Sequence, residues 1–319
     1  MKKKIDIIAG GAGLIGSTLI ETIIKKNKII CIDDLSGIDD RYIKKFYNKK
    51  NFVFIKQDLS KKISSNNKLI KLLKKYEIKN VWLLAANSDI KKGIKNENVD
   101  FKKTYLTTVK TIDFFQKRIK KKTNIIFTSS SAVYGDKKIL LKENDKNFYP
   151  ISNYGKMKLK SEFFLERLSE NKDCKVLVVR LPNVIGSNLT HGVIFDLIKK
   201  AFKNNYKKIN ILGDGYQKKP YAIAEEVAKG LIFFNTKIKK KFTLINFGLS
   251  DNGITVRYIA NQIKKKFNIK KLIYQKKKFG WIGDVPKYKM SSKKINSYGF
   301  KFRFNSKKAV DFTIKNFRF

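Results

Sequence analysis

Strand-like hydrophobic runs alternate with segments whose apolar residues recur at helical spacing through the first half of the chain. "KIDIIAG" (4–10) predicts a strand and "LIGSTLIETIIKK" (14–26) a helix; "KIICIDD" (28–34) and "NFVFIKQDL" (51–59) predict two further strands. "LIKLLKKY" (69–76) predicts a helix, "NVWLLAA" (80–86) a strand, and a long helix covers the region 97–119. "TNIIFTSSS" (123–131) and "KVLVVRLP" (175–182) read as strands on either side of a helix over "YGKMKLKSEFFLERLSE" (154–170). Alternation with short connections predicts an α/β fold built on a doubly wound parallel sheet. Beyond residue 181 the pattern turns irregular: a helix near 192–204, a short strand "INIL" (209–212), a helix at 225–235, then mixed pieces. The expected organisation is a sheet domain over 1–180 and a smaller, mixed C-terminal lobe over 181–319, with an approximate boundary across which the chain can interweave. On that arrangement loops of the lobe close the crevice at the carboxyl ends of the strands.

Composition narrows the setting. The chain has 319 residues, 42% of them hydrophobic, enough for a sizeable core. No run approaches the roughly 18 uninterrupted apolar residues of a membrane span. The opening "MKKKIDIIAGGAGLIGS" has the basic start of an export signal, but Asp6 and several glycines interrupt its apolar run, so a cytoplasmic protein is expected. Cys31 and Cys174 lie in apolar runs and read as small buried hydrophobes of a reducing compartment. With one histidine, His191, and no Cys/His cluster, a metal site is not expected. The 72 Lys+Arg against 26 Asp+Glu, a formal +46, suggest nucleic acid at face value. The lysines are spread in twos and threes along the whole chain, however, and no nucleic-acid-binding motif accompanies them. Lysine filling tolerant surface positions explains the excess, with attraction of an anionic substrate as a by-product.

"AGGAGLIGS" places Gly10, Gly13 and Gly16 between the first strand and the first helix. Glycines at such a turn let a pyrophosphate approach the helix N-terminus, whose unpaired N–H groups favour negative charge. Glycines also mark ordinary tight turns, so the triplet alone is weak. The next strand ends in Asp33-Asp34, and Asp33 lies 17 residues beyond Gly16. An acid there accepts hydrogen bonds from a ribose 2′-hydroxyl and repels a 2′-phosphate, which points to NAD rather than NADP. Asp58-Leu59 closes the third strand near the adenine on this reading; Asp58 equally suits a turn.

Within "TSSSAVYGD" (128–136) three serines end a strand, and Tyr154 and Lys158 follow in "YGKMK". Four residues apart on a helix, the tyrosine and lysine share one face. An ammonium beside a phenol lowers its pKa toward that of a working general base. On a lysine-rich helix a surface Tyr/Lys pair is the plain alternative; the glycine turn and the serine-rich strand end favour the catalytic one.

These stretches, with "DDLSG", "QDL", "LLAAN", "RLPNVIGS", "GDGYQKKPY" and "GWIGDVPKYKMSSKKINSYGF", resemble the extended short-chain dehydrogenase/reductases in order and spacing. The resemblance is to their nucleotide-sugar epimerase/dehydratase family, nearest its UDP-glucose 4-epimerase-like branch, and covers nearly the whole chain. It implies a Rossmann-type sheet, bound NAD, a nucleotide-sugar substrate and a homodimer. It implies Ser130, Tyr154 and Lys158 as catalytic residues, since the family's catalytic hydroxyl lies four residues before the tyrosine of "VYG". For the cofactor it implies Gly10, Gly13, Leu14, Ile15, Gly16, Asp33, Asp34, Asp58, Leu59, Ala85 and Ala86, together with Tyr154 and Lys158. For the substrate it implies Ser130, Asn183 and Lys219, the last facing the diphosphate unless it is a plain solvated lysine. His191 either contacts substrate or caps and packs the helix it precedes.

The chain also departs from the family pattern. Leu83 and Thr104 stand where members often carry His and Asn. Phe279-Gly280-Trp281-Ile282 leads into Gly283-Asp284 without the usual phosphate-clamping arginine, which shifts that grip to Lys219 and the run Lys276-Lys277-Lys278. Ser131 and Ala132 occupy the positions where the family's dehydratases and decarboxylases place acids. The expectation is therefore an NAD-dependent isomerase of carbohydrate metabolism that inverts C4 of a nucleotide-hexose through a transient 4-keto sugar. The alternative is a 4-reductase or 4-oxidase of the same family.

Overall fold

The computed structural model describes residues 3–63, 67–87, 89–137, 140–277, 280 and 285–317. Seven strands form one sheet: β1 (Lys4–Ala9), β2 (Lys28–Asp33), β3 (Phe52–Lys56), β4 (Glu77–Leu83), β5 (Asn124–Ser130), β6 (Lys175–Leu181) and β7 (Phe242–Asn246). Their order is β7-β6-β5-β4-β1-β2-β3, with parallel pairing of β1 to β2 and β4, of β2 to β3 and of β4 to β5. Chain order reverses at β1, which β2 and β4 flank. In such sheets the carboxyl ends beside that reversal form the ligand crevice.

The sequence explains the sheet. Strands buried on both faces read as continuous apolar runs, and "KIDIIA" and "KVLVVRL" are buried at all but their first residue. Ile5, Ile7, Ile30, Ile32, Val81, Leu83, Ile125, Phe127, Val176 and Val178 share one core, which Leu165 and Phe115 join from the helices. Asp6 interrupts the run because Asn27 and Asn80 both donate to its carboxylate, although burial still pushes its pKa up.

Two compact units divide the chain: residues 1–133, 152–180 and 228–245 in the first, and 134–151, 181–227 and 246–319 in the second. The first contains the sheet. The second has its own buried set, from helix Val193–Lys203 (Ile194, Leu197, Ile198) and helix Val256–Lys266 (Ile259, Ala260, Ile263). It also has short paired strands, among them Asn183–Ile185 with Tyr221–Ile223.

Three features differ from the sequence reading. The predicted helix 97–119 is a composite: α-helix Glu97–Asp100, a π turn Phe101–Leu106 and α-helix Thr107–Phe115. A separate helix Ile90–Lys95 precedes it. Phe242–Asn246, assigned no element from its pattern, supplies β7. Among the described residues no helix is long and apolar enough to cross a membrane.

Candidate active site

After β1 the chain turns through Gly10 into the helix Leu14–Ile23. Gly10 holds φ at +83°, and a Cβ there would lie 2.5 Å from the backbone nitrogen of Ala85, just beyond β4. A Cβ on Gly16 would come within 2.3 Å of the Gly10 carbonyl oxygen, so the turn packs against the helix only because both residues lack side chains. Gly13 is different. A Cβ there would meet only the Gly10 oxygen at 3.7 Å, an ordinary contact. A larger side chain at 13 would instead occupy the space before the helix terminus. Gly13 caps that helix without a side-chain acceptor, and no acid lies in its first turn. The N–H groups of Leu14, Ile15 and Gly16 have no intrahelical acceptor and face this cradle. A pyrophosphate fits it by charge and by space.

Asp33, the last residue of β2, accepts from the Ala12 N–H at 3.0 Å and the Leu35 N–H at 2.9 Å. It thereby ties the glycine turn to the strand end. Burial pushes its pKa up, against the pull of the Leu35 and Ala12 bonds. Each carboxylate oxygen retains a second lone pair for a ribose hydroxyl. Asp34 and Asp58 are held differently: the Lys103 ammonium donates to Oδ2 of both, at 2.5 and 3.1 Å. Asp58 also accepts from the N–H and hydroxyl of Ser60, so it is a turn residue as well. Leu59 is buried in the core, and the backbone of Ala85 abuts Gly10, with Ala86 next along the chain.

On the other side of β1, strand β5 and helix Asn153–Asn171 bring the predicted trio together. Ser152 caps this helix, its hydroxyl accepting from the Gly155 N–H at 3.1 Å. The Ser130 oxygen accepts from the Ala132 N–H at 3.2 Å, and the hydroxyl is near enough to the Tyr154 phenol to lower its pKa. The Lys158 ammonium lies 5.7 Å from the centre of the Tyr154 ring and 4.6 Å from that of Phe127. It donates to the Thr128 carbonyl at 2.6 Å and is only 2% exposed. Burial pulls its pKa down to about 7, opposed by the charge of Glu162. Burial and the charge of Asp100 push the Tyr154 phenol well above its usual value, while the Ser130 hydroxyl pulls it back.

Sequence reasoning missed the groups behind this trio. Glu162 forms a buried bidentate pair with Arg180, Nε to Oε1 at 3.0 Å and Nη2 to Oε2 at 2.6 Å, and the Ser129 hydroxyl donates to Oε1. Ser129 is thus committed to Glu162, whereas Ser130 is not. The signal was present: Tyr154, Lys158 and Glu162 recur every four residues on one helical face. Asn87 was missed too. Its backbone N–H donates to the Thr104 hydroxyl at 3.2 Å, and its amide to Asp100 Oδ1 at 2.8 Å. Thr104 and Leu83 are both buried.

Asn183, His191 and Lys219 belong to the second unit. The Asn183 amide donates to the Tyr288 hydroxyl at 3.1 Å and the Pro220 carbonyl at 3.3 Å. His191 is exposed, with Nδ1 at 3.1 Å from the Thr190 hydroxyl, and precedes Gly192, the N-cap of helix Val193–Lys203. Lys219 pairs with Ile254 in a short antiparallel ladder and is partly exposed. Lys276, Lys277 and Gly280 are described, whereas Lys278, Phe279 and Trp281 to Asp284 lie outside the described residues. Among the described residues no group of three His, Cys, Asp or Glu could hold a metal ion.

Comparison with known proteins identifies the family and the fold. The model of the NAD dependent epimerase/dehydratase family matches residues 7–248. A putative UDP-glucose 4-epimerase of Methanocaldococcus jannaschii is 25% identical over 311 residues, 95% of each chain. Among solved structures, a UDP-N-acetylglucosamine 4-epimerase from Methanobrevibacter ruminantium M1 in complex with UDP-N-acetylmuramic acid superposes with a TM-score of 0.82. It is 25% identical, with 99% of this chain and 98% of that one covered. A UDP-glucuronic acid 4-epimerase from Bacillus cereus in complex with UDP-glucuronic acid and NAD gives a TM-score of 0.83 at 22% identity, over 98% of both chains.

Proposed function

The chain belongs to the NAD-dependent epimerase/dehydratase family, and on that premise we propose that it inverts C4 of a nucleotide-hexose, of the UDP-glucose/galactose kind, through a transient 4-keto sugar. The observation that carries this reading is the convergence of Ser130, Tyr154 and Lys158 in one unit with the glycine cradle and Asp33.

NAD, held by Gly10, Gly13, Gly16 and Asp33, would supply the hydride acceptor and donor for C4 and a positive charge that favours the phenolate. The remaining work belongs to the chain. Tyr154 takes the proton of the sugar 4-hydroxyl and gives it back after inversion. Ser130, which lies beside that phenol and lowers its pKa, donates to the same sugar oxygen and stabilises its developing charge. Lys158 supplies an ammonium on the tyrosine's face of the helix and stabilises the phenolate. Its depressed pKa means that it shares its proton near neutrality. Asn183 and Lys219 contact the nucleotide sugar on this reading, Lys219 at the diphosphate, and His191 is either a further contact or a packing residue.

Ser131 and Ala132 begin the short 3-10 turn Ser131–Tyr134, so no acid directly follows the catalytic hydroxyl to eliminate water or assist decarboxylation. This favours simple inversion. A homodimer belongs to the same reading, tested by sedimentation equilibrium. The function itself is tested by incubating purified enzyme with UDP-glucose, UDP-galactose and related nucleotide sugars without added reductant. The C4 epimer is expected. Turnover that needs a continuous supply of NADH, or a 4-keto product that accumulates with NADH, would replace this reading by reductase or oxidase.

A further inference from the structure

The π turn Phe101–Leu106 interrupts an otherwise α-helical stretch, and such turns redirect side chains, often at functional sites. Here Thr104 is buried toward Asn87, while Lys103 reaches Asp34 and Asp58 beyond the ends of β2 and β3. The two acids are held in the same way. Each uses Oδ1 to accept from the N–H and hydroxyl of a serine two residues on, Ser36 at 2.9 and 2.6 Å and Ser60 at 2.9 and 2.6 Å. Each offers Oδ2 to Lys103. The ammonium is therefore shared by two carboxylates whose orientations are already fixed. Lys103 is 34% exposed and each acid 24%. A lone exposed ion pair contributes little, but a three-membered cluster tied to two turns is preorganised.

The position gives the cluster a role. The adenosine half of a dinucleotide lies over the β1–β2–β3 side of the crevice. Three carboxylates, Asp33, Asp34 and Asp58, lie at and just beyond the ends of β2 and β3, and Lys103 is the cation between two of them. We propose that Lys103 is a specificity-determining residue of the cofactor site: it offsets the carboxylates so that NAD binds, and its capture by Asp34 and Asp58 withholds it from a 2′-phosphate. Discrimination against NADP then has two parts, repulsion by Asp33 and sequestration of the Lys103 ammonium by Asp34 and Asp58. The inference rests on NAD as the cofactor and not on the sugar chemistry.

Calorimetric titration of the full chain with NADH and NADPH, in the absence of sugar, tests it. Lys103→Met is expected to weaken NADH binding about tenfold, the order expected for one unit charge at a part-exposed site, and NADPH binding at least as much. The double variant Asp34→Asn/Asp58→Asn frees the ammonium and is expected to raise NADPH affinity relative to NADH about tenfold. Lys103→Arg, which keeps a positive charge between the acids, should bind NADH more tightly than Lys103→Met. Unchanged NADH affinity in Lys103→Met, or an unchanged NADH-to-NADPH ratio in the double variant, overturns the proposal. If Lys103→Met does not fold, the arginine and double variants decide: an arginine variant that loses NADH binding likewise overturns it. Since sugar is absent, failure of the epimerase reading leaves the result intact.

Discussion

Replacing Glu162 by Gln probes the buried support of the candidate active site. The amide keeps the shape of the carboxylate but removes the charge that pairs with Arg180, at residues whose side chains are 2% and 5% exposed. Leaving one partner of a buried ion pair uncompensated costs about 3–5 kcal/mol. At about 2.1 cal/mol/K per residue, a chain of 319 residues unfolds with roughly 0.7 kcal/mol/K of entropy. The Glu162→Gln variant should therefore melt about 4–8 °C below wild type in scanning calorimetry. Activity should respond as well. The charge of Glu162 raises the pKa of Lys158, which burial has brought down to about 7. Without it the ammonium loses its proton at still lower pH, so the alkaline limb of the kcat/KM profile should move to the acid side. A Glu162→Met/Arg180→Met variant should recover most of the lost melting temperature, because neither charge is then buried alone. A Glu162→Gln variant that melts within about 1 °C of wild type, with an unshifted alkaline limb, would refute the reasoning.

The glycine cradle gives a paired expectation. Gly13→Val should fold normally yet lose NAD binding in a fluorescence titration, since its Cβ meets nothing closer than 3.7 Å, whereas Gly16→Ala should lower the melting temperature because its Cβ would press within 2.3 Å of Gly10. Tyr154→Phe should reduce kcat by about 10²–10⁴-fold or more, while NAD and nucleotide-sugar affinities measured by calorimetry stay close to wild type. Incubation with a nucleotide-hexose should give no 4-keto-6-deoxy sugar by mass spectrometry, because Ser131 and Ala132 supply no acid for elimination.

The parts of this fold set by local chemistry were legible from the chain itself. Continuous apolar runs announced β1 to β6, and the spacing of Gly10, Gly13, Gly16 and Asp33 announced the cradle, because each needs a particular residue at a particular place. Ser130, Tyr154 and Lys158 could be grouped because strand end and helical face carry clear periodicities. What stayed hidden depends on distant partners. Phe242–Asn246 has the same pattern as any short apolar run, and only pairing beside β6 makes it β7. Lys103 is one of 72 basic residues, and nothing local shows that a π turn aims it at Asp34 and Asp58. Arg180 lies near the end of an apolar strand, and nothing local announces the buried bond it makes to Glu162 of a helix.

The central claim, that hydride leaves C4 and returns to C4 within one bound complex, is tested most directly by isotope. A nucleotide-hexose carrying deuterium at C4 is converted by the purified enzyme in the presence of a pool of unlabelled NADH, and the product is analysed by NMR and mass spectrometry. The account expects the inverted sugar to keep its deuterium at C4, with none in the pool. Loss of the label to solvent, or its appearance in free NADH, would contradict it.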